Sequence, residues 1–126
     1  MNAALRRYTQ TQTETASPER TMVLLFEAAL RNIRLGAASL EAGMRGEAAD
    51  RFGKAGEIVM GLHGALEHAQ APELCAQLAG LYVFVATRLV KAAASADLLA
   101  AREAERTLVP IVEAFQTAVA QQAAAR

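Results

Sequence analysis

An antiparallel four-helix bundle is the fold this all-α sequence predicts, and three observations predict it. The 126-residue chain is 53% hydrophobic, and Ala, Leu, Glu, Arg and Gln, all helix formers, dominate it. Runs rich in Val, Ile and Thr with period-two alternation, the mark of strands, do not occur. Apolar residues instead recur at spacings of three and four in four long stretches, each separated from the next by helix-breaking residues. Length fits one domain with a single modest core. Helices of about 23 residues joined by short turns pack antiparallel and span roughly 35 Å.

The elements follow in order. Residues 1–16 are polar, with only Leu5 and Tyr8 able to anchor them, and read as a flexible tail or cap. Ser17-Pro18-Glu19 opens the first helix. The Ser17 hydroxyl can accept from a free N–H of the first turn, Pro18 has no N–H to lose there, and Glu19 complements the helix dipole. That helix is predicted over 18–42, with Met22, Phe26, Ala29, Ile33, Ala37 and Leu40 as its seam. Val23, Leu24, Leu25 and Leu30 widen the stripe beyond one seam. Gly43 is placed to stop the helix in the left-handed conformation.

The second helix is predicted over 47–68, with Phe52, Ala55, Val59, Leu62 and Leu66 facing inward. Gly53, Gly56, Gly61 and Gly64 lie within it, each costing about 1 kcal/mol relative to Ala. Such a helix depends on its neighbours, and its glycines permit close approach. Gln70-Ala71-Pro72 breaks the chain before a third helix over 72–94, whose seam is Leu74, Leu78, Leu81, Val85 and Leu89. Tyr82, Val83, Phe84 and Val90 fall on its other faces, so it is apolar all round. The fourth helix starts near Asp97, a good N-cap residue, and runs to Gln122 through Ala101, Ala104, Leu108, Ile111, Phe115 and Val119. Pro110 predicts a kink rather than a break, because the apolar period continues across it. Residues 17–122 thus form the bundle, and 123–126 a frayed end.

Charge and composition exclude several functions. Thirteen basic residues balance 13 acidic ones, so the basic excess of a nucleic-acid binder is missing. Cys75 is the only cysteine, which fits a reducing compartment. The first residues lack a signal-peptide core, and the run AGLYVFVA is too short to span a bilayer. A cytoplasmic protein without membrane insertion is expected.

Catalytic chemistry finds no constellation. His63 and His68 are five apart, off the spacing that sets two ligands on one helical face, so no metal site is expected. Cys75 has no base beside it in sequence and reads as a buried thiol. The Glu residues miss the Glu-x-x-His pattern of di-iron bundles. No glycine-rich phosphate loop or catalytic signature occurs, and no cofactor is expected. A binding or structural protein follows, not an enzyme. The apolar excess on the first and third helices either is buried within the bundle or waits for a partner. The tail is either an ordinary terminus or a tether that lays Tyr8 into a groove.

The residues also resemble a known family. A tyrosine leader precedes Thr15-Ala16-Ser17-Pro18 at the first helix. Leu24-Leu25-Phe26-Glu27-Ala28-Ala29-Leu30 is similar to an "LYDGAI"-like segment, and Lys54-Ala55-Gly56-Glu57-Ile58-Val59 to "KAQxII". Leu81-Tyr82-Val83-Phe84 with Arg88-Leu89-Val90-Lys91-Ala92 resembles "LYxYxxRRLxxAN", and Asp97 and Glu103 match an acidic pair opening the last helix. In this order and spacing, over Tyr8 to Phe115, the chain resembles flagellin export chaperones of the FliS type. It departs from their pattern at Glu27-Ala28, at Ala69-Gln70-Ala71-Pro72, at Ala93, at Phe115 and in a shorter leader.

The resemblance implies a cytoplasmic, mostly monomeric bundle that holds the disordered C-terminal segment of flagellin and prevents its premature polymerisation before secretion. It implies Tyr8 as a displaceable cap. Leu24, Phe26, Leu30 and Ile33 on the first helix, with Tyr82, Phe84, Val85 and Leu89 on the third, are the expected groove walls. The rival expectation is a self-associating adaptor or structural subunit with a different client, forming a symmetric dimer that buries Val83, Phe84 and Val90.

Overall fold

The computed structural model describes residues 17–125, which form four helices and, among the described residues, no strand. Helix α1 spans Pro18–Glu41, α2 Arg45–Gly64, α3 Pro72–Ser95 and α4 Leu98–Ala125. Each packs on its neighbours in a ring: α1 on α2 and α4, α3 on α2 and α4. The antiparallel four-helix bundle expected from the pattern is the fold. Tyr8 and the rest of residues 1–16 lie outside the described residues.

Local chemistry sets the helix ends. The Ser17 hydroxyl accepts from the Arg20 N–H at 3.2 Å, with Pro18 at the first position. At the other end of α1, Gly43 has φ +77°. Its N–H donates to Leu40 O, and the Met44 N–H donates to Ser39 O at 2.8 Å. This paired closure satisfies two otherwise free carbonyls and reverses the chain in three residues. Asp97 caps α4 by accepting from the Ala100 N–H at 3.1 Å. Between them Ala96 closes α3 with φ 50° and ψ 45°, a left-handed conformation costly for a residue with a Cβ.

Two helix ends differ from expectation by three residues or more. Helix α2 stops at Gly64 rather than His68, since Gly61 and Gly64 weaken its last turns and the following residues include polar Glu67 and His68. Leu66 still packs against the core from the connection. Helix α4 runs unbroken through Pro110 to Ala125, past the predicted end at Gln122.

The core draws on all four helices. Phe26, Ile33, Phe52, Val59, Val85, Leu89 and Leu108 are buried at its centre, with Tyr82 and Leu25 beside them. The α3 seam differs from the predicted one. Leu74 and Leu81 are exposed, and the inward line is Cys75, Leu78, Tyr82, Val85, Leu89 and Ala92. Tyr82 is the reason: its ring meets Phe26 at 6.2 Å between centroids, and Phe26 in turn meets Phe115 at 4.7 Å. These ring contacts fix Tyr82 on the inward line, one residue on from Leu81.

Helix α3 also corrects an estimate based on one short run. Its most apolar 18 residues average a hydropathy of 1.4, which by length and composition suffices to cross a bilayer. The alanines on either side of AGLYVFVA extend the apolar stretch. In the bundle one face of α3 lies in the core, and the rest raises the question of what covers it.

Candidate functional site

Six of the nine proposed contact residues are core residues. Phe26, Leu30, Ile33, Tyr82, Val85 and Leu89 are buried in the bundle, and of these Leu89 also lines an open groove and Leu30 a surface depression. The cause is the inward seam itself: residues at three-and-four spacing meet the opposing helices first. Leu24 is half-buried, Phe84 is exposed, and Tyr8 lies outside the described residues.

An open groove does exist, between α2 and α3. Its volume is about 650 Å³, with Phe52 and Leu89 at the bottom and Met60 and Val90 on the rims. A second depression of about 340 Å³, lined by Val83 and Thr87, shares Met60, Ala86 and Val90 with it. Together they make one trough along α3. Small residues explain why the helices do not fill it. Gly53 and Gly56 face it from α2, and Ala86, Ala93 and Ala94 from α3. A Cβ built on Gly53 or Gly56 would meet nothing within 4 Å. Neither glycine therefore serves helix contact, and both leave space for something else.

Gly36 shows the opposite use of glycine. A Cβ there would lie 2.6 Å from Phe52 Cε1, so α1 and α2 approach through this position. Beside it the buried Asn32 donates to Ala28 O at 2.9 Å and accepts from Arg51 Nη1 at 3.3 Å. The α1–α2 seam is closed and pinned, whereas the α2–α3 seam is open.

The α1–α4 seam is polar on its outside. Depressions of about 460 and 440 Å³ flank the Gln116–Glu27 hydrogen bond of 2.8 Å, and both include charged side chains. Further along, Arg34 donates to Glu105 at 2.8 Å, and Arg102 reaches both Glu105 at 3.1 Å and Glu41 at 2.8 Å. These hydrogen bonds hold the Glu105 carboxyl below its usual range, chiefly through Arg34 and against its partial burial. The charges clasp α1 to α4.

Exposed large apolar side chains concentrate on α3: Leu74, Leu81, Val83, Phe84 and Val90, the last at 69%. Arg88 lies over the Phe84 ring, 5.8 Å from its centroid, and reaches toward Glu103 at 4.0 Å. Lys91 leans toward Asp97 at 3.9 Å. Both α3 cations are thus drawn to the α4 side, and the one charged side chain that lines the trough is Glu57 of α2. Sequence reasoning missed Met60, Val83 and Val90 as groove residues. The signal was present, since Val83 and Val90 fall off the inward line through Tyr82 and Leu89. The glycines were noticed for their cost, but sequence alone does not tell which glycine faces a helix and which faces space.

A helical bundle with one seam left open and apolar has the build of a protein that holds segments of other chains. Among the described residues no group of three His, Cys, Asp or Glu could hold a metal ion. The family described as flagellar protein FliS matches residues 1–122, and the chain belongs to it. It is a flagellar export chaperone by family. A crystal structure described as a flagellar chaperone from bacteria shares the fold, with a TM-score of 0.74, covering 94% of this chain and 96% of that one. The two are 17% identical, so the likeness extends to the fold. No curated protein matches the chain in sequence.

Proposed function

We propose that this protein is a cytoplasmic chaperone that holds the disordered C-terminal segment of flagellin and keeps it from polymerising before secretion. The trough between α2 and α3 carries the reading: it is apolar, about 650 Å³, and rimmed by exposed Met60 and Val90. An amphipathic segment folds as it binds such a groove, burying its apolar face. Ordering that segment costs several kcal/mol, so contact extends beyond the trough. Phe84 and Leu24 are the contact residues retained from sequence, and Met60, Val83 and Val90 join them. Tyr8 is proposed to occupy apolar surface until the client displaces it. From Tyr8 to Ser17 the chain spans at most about 30 Å, comparable to the length of a helix here.

Titration calorimetry with a peptide from the C-terminal end of the host's flagellin tests this. One-to-one binding at micromolar affinity or tighter is expected. Met60→Glu is expected to weaken it at least tenfold with an unchanged thermal midpoint. Deleting residues 1–16 is expected to tighten binding and raise apolar-dye fluorescence. No heat and no complex with the intact chain would sink the flagellin reading.

A further inference from the structure

We infer that Gly36 is a positioning residue for the trough: its missing side chain lets the Phe52 ring seat against α1, and that seat sets the trough's depth and so the size of client side chain it accepts. The choice of client side chain rests on the flagellin reading, and the position of the ring does not.

Among the described residues, only those of α2 and α3 line the trough, and α1 takes no direct part in it. One side chain joins the two. Phe52 is 1% exposed and lines the trough, yet its ring also fills the place that a side chain at position 36 would take. A Cβ on Gly36 would lie 2.6 Å from Cε1, 2.7 Å from Cδ1 and 3.1 Å from Cζ. Three atoms of one ring at this range mean that the ring as a body, not a flexible tip, rests against α1. Carbon atoms in ordinary contact are about 3.5–4.0 Å apart, so a methyl group there displaces the ring by about 1 Å.

Packing decides which way the ring goes. Helices α1 and α2 are pinned beside it. Asn32, one turn before Gly36, accepts from Arg51, the residue before Phe52, at 3.3 Å, and donates to Ala28 O at 2.9 Å. Asn32 is buried, so parting the helices strips its amide oxygen of that partner. Interiors are close-packed, and a displaced ring moves to where volume is free. That volume is the trough, about 650 Å³. Gly53 and Gly56 leave it unfilled beside Phe52, since a Cβ on either would meet nothing within 4 Å. A ring shifted that way makes the trough shallower. An apolar pocket discriminates about tenfold or more for a single methylene group, so 1 Å of depth is enough to change its preference. With glycine at position 36 the trough holds a leucine-sized side chain, and with alanine only a smaller one.

The crystal structure of Gly36→Ala and a double-mutant cycle between protein and peptide test the inference. In the structure the Phe52 ring is expected about 1 Å further toward α3, with α1 and α2 no further apart. In calorimetry the flagellin C-terminal peptide is compared with copies in which each large apolar residue in turn is replaced by alanine. With the parent chain, at least one replacement is expected to weaken binding about tenfold. With Gly36→Ala, the same replacement is expected to cost less than about twofold, affinities being corrected for the unfolded fraction. A merely structural role would lower stability and leave that ratio at its parent value. Gly36→Ala combined with Phe52→Leu, which removes the ring, is expected to restore the preference. Phe52→Leu alone tests the ring without the methyl group, and is expected to favour a peptide carrying phenylalanine at the sensitive position. A ring that stays in place while α1 moves away overturns the inference. So does a ratio unchanged by Gly36→Ala, or an unchanged preference in Phe52→Leu. Absence of peptide binding by the parent chain sinks the flagellin reading alone, and the ring's position in Gly36→Ala then decides the inference.

Discussion

Glycines in this chain do opposite work a few residues apart. Gly36 is required by packing, because any Cβ there meets the Phe52 ring at 2.6 Å. Gly36→Ala is expected to lower stability by about 1–3 kcal/mol, the usual range for overpacking. Gly53 and Gly56 face open space, so Gly53→Ala and Gly56→Ala are expected to gain about 0.5–1 kcal/mol each. Urea denaturation separates the two directions. Calorimetry with the flagellin peptide is then expected to show weaker binding in the stabilised variants, because each methyl intrudes on the trough. Equal affinity in both would mean that the trough is not where the client lies. Tyr82 gives a second residue-scale expectation. Burial, then the neighbouring Cys75 thiol, push its hydroxyl up to about 12. Its folded value exceeds the unfolded value near 10, so the folded protein holds the proton longer. Its contribution is complete below pH 10 and is lost as pH rises from 10 to 12, about 2–3 kcal/mol in all. Tyr82→Phe is expected to flatten that part of the stability–pH curve.

At the scale of elements, the helix ends were legible because they depend on near neighbours. Ser17-Pro18, Gly43 and Asp97 act through bonds no more than five residues long, and the structure uses each as a start or stop. The α3 seam was not legible in the same way. Leu74 and Leu81 fit the period as well as Cys75 and Tyr82 do, and the choice rests on the contact of Tyr82 with Phe26, far away in sequence. The groove was hidden for a related reason. Local pattern marks apolar residues without saying which of them the opposing helix leaves uncovered. Ala96 is an element end that the pattern did not mark, and it is strained: a left-handed φ of 50° on a residue with a Cβ. Ala96→Gly is expected to raise stability by about 1 kcal/mol, read as a higher midpoint in urea. The α1–α4 clasp sets a limit at low pH. Glu105 has its folded value lowered by Arg34 and Arg102, so its contribution is present above the unfolded carboxylate range and fades as pH falls through the folded value. Glu105→Gln is expected to remove that part of the acid limb.

For the whole molecule, core and the proposed client trough meet at Leu89, which is 2% exposed and yet lines the trough. The two roles predict different behaviour in one variant. As core, Leu89→Ala costs about 2–5 kcal/mol and lowers the population able to bind. A peptide present at a hundred times its dissociation constant returns about 2.7 kcal/mol to the folded state by mass action. If Leu89 is core alone, the variant's melting temperature is expected to recover with peptide by the same free energy as the parent gains. Its affinity, corrected for the unfolded fraction, then matches the parent's. If the client reaches Leu89, the corrected affinity falls and the recovery is smaller. The 2% exposure of Leu89 favours the first outcome. On that outcome the proposed client would lie on the trough's rims and floor of small residues, and the aromatic and aliphatic centre would serve to hold the four helices together.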